Sequence, residues 1–279
     1  MKTWRTTIGT VGRVRRTFYP LGSEAASDPD ATPSVSVTRH DGTSVSGVSV
    51  ASLGSGVYEA SVPAQTSLDR LSVRWDATYS GAAQRHFDVL DVAGARWFDL
   101  ATLRAQQGLS NTSTFPLPLL ESARVAAEDF CEAVLGIAQV PRLVRWSGPW
   151  DGTAERAWVR PVPVRKVRRA LVDDDVKDVT DWKGAGAWIA LPAPVPGTRA
   201  EVWYEAGLDA PPADLAQACL MLARHLVLGS TSSVPDRARS LTTEVGTFHL
   251  NVASEQSPTG LPEVDATLVR HRDRRPVIA

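Results

Sequence analysis

Few side chains in this sequence have the type and spacing to perform chemistry. Asp173, Asp174 and Asp175 stand in a row and come nearest to a metal site. A calcium loop needs alternating oxygen ligands and a later bidentate Glu, and here Lys177 sits where it would oppose a cation. The triplet reads as a solvated turn, and a metal-dependent hydrolase built on it would need bound metal to be believed. His40, His86, His225, His249 and His271 fall singly, without the HxH, HxxxH or HExxH spacings that bring two imidazoles to one ion. There is no GxSxG elbow and no phosphate-cradling glycine loop. Gly184-Ala185-Gly186 follows Lys183 and opens no helix, which suits a turn. Cys131 and Cys219 each lie on the apolar side of a predicted helix. They read as buried free thiols of a protein made in a reducing cytoplasm, and a disulfide is open only if the two helices touch. No catalytic residue, cofactor or metal site is expected.

Two basic clusters remain. In Arg165-Lys166-Val167-Arg168-Arg169, strict strand alternation would put Arg165, Val167 and Arg169 on one face and Lys166 and Arg168 on the other. A strand charged on both faces belongs at an edge, against another subunit, or against DNA. Intersubunit ion pairs are the better reading, because arginine pairs bidentately with carboxylates and no aromatic interleaving marks a nucleic-acid reader. The second cluster, Arg270, Arg272, Arg274 and Arg275, ends the chain.

The elements that position these residues read as multidomain α+β. A length of 279 residues allows two domains, and a net charge of −1 gives no global attraction to nucleic acid or anionic membrane. No apolar run approaches the roughly 20 residues of a membrane span, so no membrane partner is expected. The polar, glycine-punctuated MKTWRTTIGTVGRVRR does not read as a secretory signal. Residues 1–93 should form an immunoglobulin-like β-sandwich from strands near 8–19, 34–39, 44–51, 57–62, 71–79 and 85–92. The alternation Leu71/Val73/Trp75 marks a core face, Asp41-Gly42 marks a hairpin turn, and Trp75 should fill the core. Residues 94–229 should form a helical core with a β-hairpin insertion. Its helices are expected over about 100–107, 119–135 and 213–228, with a β segment over 143–204. Asp99 is placed to cap the first helix and Gly108 to close it. Pro116, Pro118 and Gly136 frame the second, and Pro211-Pro212 and Gly229 the third.

The second helix carries a wide apolar stripe through Leu119, Ala123, Ala126, Phe130 and Val134 with their neighbours Leu120, Ala127 and Cys131, expected to pack on the third helix. Glu121, Arg124, Glu128, Asp129 and Glu132 should then face neighbours or solvent. Residues 230–279 should be an extended C-terminal arm, with a hairpin over 241–252 and a short helix over 261–270. The arm has too few apolar residues for its own core, so from about Leu241 it is expected to be ordered only by a partner.

The order DLATLRAQQGL, PLPLLESARVAAEDFCEAVLG, VPR, a β segment and PPADLAQACLMLARHLVLG resembles head-to-tail adaptor (head-completion, connector) proteins of long-tailed bacteriophages. The tail GLPEVDATLVRHRDRRPVIA is similar to the end of such adaptors. The resemblance covers about residues 95–279 well and 1–94 more loosely, and rests on the order and spacing of elements. It implies a structural virion protein, made in the host cytoplasm and placed at the neck. It implies a homo-oligomeric ring, commonly of twelve copies, below the portal protein and above the next neck or tail-completion protein. DNA would pass through the channel without sequence-specific binding. Leu261, Val264, Leu268, Arg270, Arg272, Arg274 and Arg275 are then the candidate partner-binding residues. Arg165, Lys166, Arg168, Arg169, Glu128 and Asp129 are the candidate subunit-interface residues. A different class of reading makes the sandwich a carbohydrate- or surface-binding module, which exposed Trp and Tyr on one sandwich face would favour.

Overall fold

The computed structural model describes residues 1–229 and 257–272, with the backbone course of two strands, Ser240–Thr243 and Gly246–His249. The architecture is multidomain α+β. One compact unit joins Met1–Ala95 to Val140–Asp209, and the other joins Arg96–Gln139 to the described residues after Asp209. The expected divisions near 93 and 229 differ from these units, because the β segment belongs with the N-terminal strands. Close backbone approach joins the two stretches: Gly94 N donates to Pro141 O at 2.7 Å. A Cβ on Gly207 would lie 2.2 Å from Val140 O, a space only glycine leaves open.

The first unit begins with seven strands: β1 (Thr3–Thr7), β2 (Gly12–Thr17), β3 (Ser34–Thr38), β4 (Ser49–Gly54), β5 (Val57–Val62), β6 (Asp69–Tyr79) and β7 (Ala82–Ala93). They form two sheets, β1-β7-β6-β3 and β2-β5-β4, with β1 parallel to β7 and the other pairs antiparallel. This is the immunoglobulin-like partition, with the second, fourth and fifth strands facing the third, sixth and seventh. The expected single strand over 8–19 is divided. A turn at Gly9, with φ +77°, sends β1 and β2 into different sheets. Phe18, Leu71, Val73, Trp75 and Leu90 are fully enclosed between the sheets, and Phe18 meets Trp75 edge-on at 5.7 Å. Trp75 is thus a core residue as expected, but on the sixth strand. Buried Asp69 accepts from His40 Nδ1 at 2.9 Å and Arg39 Nη1 at 3.1 Å. Burial pushes its carboxyl up, yet hydrogen bonds and charge from His40 outweigh this and hold it below the usual range.

The same unit continues with β8 (Arg142–Pro149), β9 (Arg156–Trp158), β10 (Val164–Val172), β11 (Asp175–Lys177), β12 (Lys183–Ala185), β13 (Trp188–Ala190) and β14 (Arg199–Ala206). They make one sheet of order β11-β10-β14-β8 and another of order β12-β13-β9. The residues expected as a Lys183–Gly186 turn are instead mostly strand, and Gly186 alone turns, at φ +68°.

The second unit holds α1 (Leu100–Arg104), α2 (Leu117–Leu135), α3 (Ala213–Gly229) and α4 (Pro262–His271), plus the antiparallel hairpin β15 (Ser240–Thr243) and β16 (Gly246–His249). Asp99 caps α1 through Thr102 N at 2.6 Å. Pro116 and Pro118 begin α2, and Gly136 closes it in the left-handed conformation at φ +68°. The helices α2 and α3 pack on each other, with Leu120, Ala127, Cys131 and Leu135 of the first and Leu215, Cys219 and Leu222 of the second buried, whereas Ala126 of the expected stripe is exposed. Cys131 and Cys219 are buried free thiols close enough to hydrogen-bond, and burial followed by that contact raises the Cys219 thiol well above its usual range. Among the described residues, no helix is long and apolar enough to cross a membrane.

Candidate functional site

The basic strand does not alternate as expected. Register shifts between Val164 and Lys166 and between Val167 and Arg169 bulge β10 twice. Each bulge advances the inward position by one residue. Val164, Val167 and Ala170 therefore point inward, and Arg165, Lys166 and Arg168 are all exposed. β11 pairs only with Ala170–Val172, so on that side Arg165–Arg169 forms an open stretch of edge. Three of the four cations already have partners in their own chain. Arg165 pairs with Asp209 at 2.8 Å, and Arg168 reaches Glu205 with two nitrogens, Nε at 2.7 Å. Arg169 donates to His40 O at 3.2 Å. Lys166, exposed as well, makes no ion pair with the described residues.

On α2, the structure corrects the expected charged face. Glu128 is fully enclosed, with Arg96 Nε 3.3 Å and Trp97 N 3.2 Å from its Oε1. Glu132 accepts from Gln139 N at 3.3 Å, and Arg124 donates to Phe98 O at 3.2 Å. These three side chains hold the segments flanking α2 against it and lie inside their own subunit. Glu128 therefore offers no surface to a neighbour, while Asp129 is partly exposed.

The expectation that the arm needs a partner for order does not hold for 257–272. Val264 and Leu268 are buried, at 0% and 1% exposure, and α4 packs on α3 and α2. Both ends of α4 are tied by polar groups. Asp265 accepts from Thr259 N at 3.2 Å and Thr259 Oγ1 at 2.9 Å, and Ser257 also bonds to it. At the other end, His271 Nε2 lies 2.7 Å and Arg270 Nη1 3.5 Å from Asp214 Oδ2, at the start of α3. The His271 hydrogen bond, the largest influence on it, holds the Asp214 carboxyl below its usual range. Of the expected partner-binding set, Leu261 is half-buried and Arg270 and Arg272 are exposed. Arg274 and Arg275 lie outside the described residues.

The acidic triplet is a turn. Asp173 and Asp174 have φ of +51° and +68°. The Asp173 carboxylate accepts from Arg199 N at 2.9 Å and from Thr198 N, and the Arg199 bond foremost keeps it below the usual range. It edges a polar cleft of about 480 Å³ with Arg145, Ser147, Arg199 and Glu201, in which Arg145 and Glu201 pair with each other. Among the described residues, no three His, Cys, Asp or Glu side chains are placed to share a metal ion.

One surface escaped the sequence reading. Trp158 on β9 and Trp188 on β13 are register partners, and their rings lie 3.9 Å apart, tilted by 49°. Trp158 remains 42% exposed, and the Arg156 guanidinium stands 5.6 Å from the Trp188 ring. Strand alternation was the available signal, since Arg156 and Trp158 flank the buried Ala157 and Trp188 and Ala190 flank the buried Ile189. Three-residue strands are too short for that signal to register from sequence.

No protein family matches the sequence, and no curated protein matches it. Among solved structures, the chain is similar to a component of the neck of an empty gene transfer agent (GTA) particle with C6 symmetry. The likeness has 18% identity and a TM-score of 0.43, and covers 66% of this chain and 93% of that one. A component of the native GTA virion is similar at 20% identity and a TM-score of 0.42, with the same coverage of 66% and 93%. The titin M3 domain is similar over a third of the chain, at 12% identity, a TM-score of 0.22, and coverage of 33% of this chain and 86% of that domain.

Proposed function

We propose that this chain is a structural protein of a phage-type virion neck. Copies form a ring, of twelve by our reading, that joins the portal of a DNA-filled head to the next neck or tail-completion protein. The DNA channel continues through that ring without sequence-specific contacts. The observation that carries this reading is the order of elements. The quoted stretches of the resemblance occupy a short helix α1, a long helix α2, a β segment, a second long helix α3 and a terminal helix α4. Arg124, Glu128 and Glu132 of α2 hold their own unit together, and on this reading exposed Lys166, Arg270 and Arg272 serve contacts between proteins.

The glycan-binding reading finds less support in the sandwich. Its two tryptophans, Trp4 and Trp75, are buried, as are Tyr58 and Tyr79, and Tyr19 alone of this set is exposed. Purified chain mixed with the portal of the same particle and imaged by negative stain tests the proposal. A closed ring seated on the portal is expected, and chain that leaves the portal bare overturns it. Deleting α4 would be a poor probe, because it would open the core around Val264 and Leu268. Arg270→Glu with Arg272→Glu leaves that core intact and should weaken attachment.

A further inference from the structure

The outer face of the β12-β13-β9 sheet has an unusual make-up. Register places Lys183, Ala190 and Arg156 in one row and Ala185, Trp188 and Trp158 in the next. Gly184, Ile189 and Ala157 alternate with them and face inward. The result is a two-tryptophan platform floored by alanines and rimmed by two cations. Tryptophan and arginine together are the residue types that dominate binding energy at protein interfaces. A Trp pair with Trp158 exposed and Trp188 half-buried beside a guanidinium calls for an aliphatic group and a carboxylate.

The same unit carries such a group elsewhere. The turn between β10 and β11 presents Asp174 and Asp175, and the adjoining Val176 is 64% exposed. The Asp175 side chain is 83% exposed, with Lys177 Nζ 3.7 Å from its Oδ2. The platform sits at the opposite end of β10. Gly186 bridges Val164, and a Cβ on Gly184 would lie 2.3 Å from Val164 O, so β12 abuts the first residue of the strand. The acidic turn follows its last residue, Val172. The length of β10 between them is about 25 Å at the usual strand rise, so the tip cannot reach the platform of its own chain.

We infer that the platform is the docking surface for the acidic β10–β11 tip of a second copy of this chain. Val176 packs on Trp158 and Trp188, and Asp174 and Asp175 meet Arg156 and Lys183. Two different patches at opposite ends of one strand make a heterologous, head-to-tail contact, the kind that closes a ring. The inference rests on the ring reading and names the surfaces that make the ring.

Charge reversal tests it on the full chain with the portal. Asp174→Arg with Asp175→Arg gives a tip-reversed chain, and Arg156→Asp with Lys183→Asp gives a platform-reversed chain. Each alone should lose ring assembly, needing at least tenfold more protein than wild type. An equal mixture should regain it, because alternating copies then meet with opposite charge at every contact, which also shows that both variants fold. Wild-type rings alongside unimpaired single-reversed variants, or a mixture that fails, overturn this interface and leave the ring reading standing. Failure of the wild type to form rings overturns the ring reading and this inference with it. Binding of an oligosaccharide panel that Trp158→Ala abolishes, with ring assembly unchanged, would assign the platform to a glycan and overturn the inference.

Discussion

The basic strand β10 and the helix α2 both carry a cluster of charged side chains but use it in opposite ways. On β10, Arg165 pairs with Asp209 in open solvent, and Arg168 pairs with the partly shielded Glu205 from an exposed position. On α2, Glu128 is enclosed with Arg96, whose side chain is 9% exposed. Screened pairs contribute little, whereas breaking an enclosed pair strands a desolvated charge. The comparison teaches that a charged residue's role is set by its burial. A run of charges in a sequence marks an open face only when no partner arrives from elsewhere in the chain.

Substitutions in the two regions should differ in cost accordingly. Glu128→Ala should have the largest effect, about 3–5 kcal/mol in chemical denaturation of the helical unit, because it breaks the enclosed Arg96–Glu128 pair. Leu268→Ala should follow, at about 2–4 kcal/mol, since it opens a cavity beneath α4. Hydrogen exchange should then show α4 amides losing protection before those of α2. Asp265→Ala should cost about 1–2 kcal/mol through the lost bonds from Thr259 and Ser257, read by the same exchange experiment.

Arg168→Ala should cost less than about 1 kcal/mol. A loss matching that of Glu128→Ala would erase the distinction between the two regions. The smallest expected effect is a pH dependence at the end of α4. Asp214 has a depressed carboxyl, so its contribution is present above the ordinary carboxylate pKa, near 4, and is lost as pH falls through its lower folded value. Exchange protection of His271 and its neighbours should therefore fall below about pH 4 in the native chain. Asp214→Asn should remove that dependence.

Local chemistry made much of the fold legible. Gly136 ends α2 in the left-handed conformation and Asp99 caps α1 as its position implies, whereas Gly229 is the last residue of α3 itself. The Leu71/Val73/Trp75 alternation foretold a core face because the pleat fixes the side of every second residue. The α2–α3 pairing followed from two apolar stripes with no other place to go. The candidate site was less legible. Two bulges in β10 shifted its inward face, and no residue in the strand announces them. Trp158 and Trp188, thirty positions apart in the chain, meet only through pairing of β9 with β13.

Sequence by itself therefore determined the class and order of elements, because caps, turns and periodicities act within a few residues. It also determined that no recognisable catalytic motif is present. The tertiary structure alone decided which charges are buried and that α4 docks on its own chain. It also decided that the β segment joins the sandwich unit, and that an aromatic platform and an acidic tip stand at opposite ends of one strand. Burial and pairing depend on which distant segments arrive at a residue, and that information is spread over the whole chain.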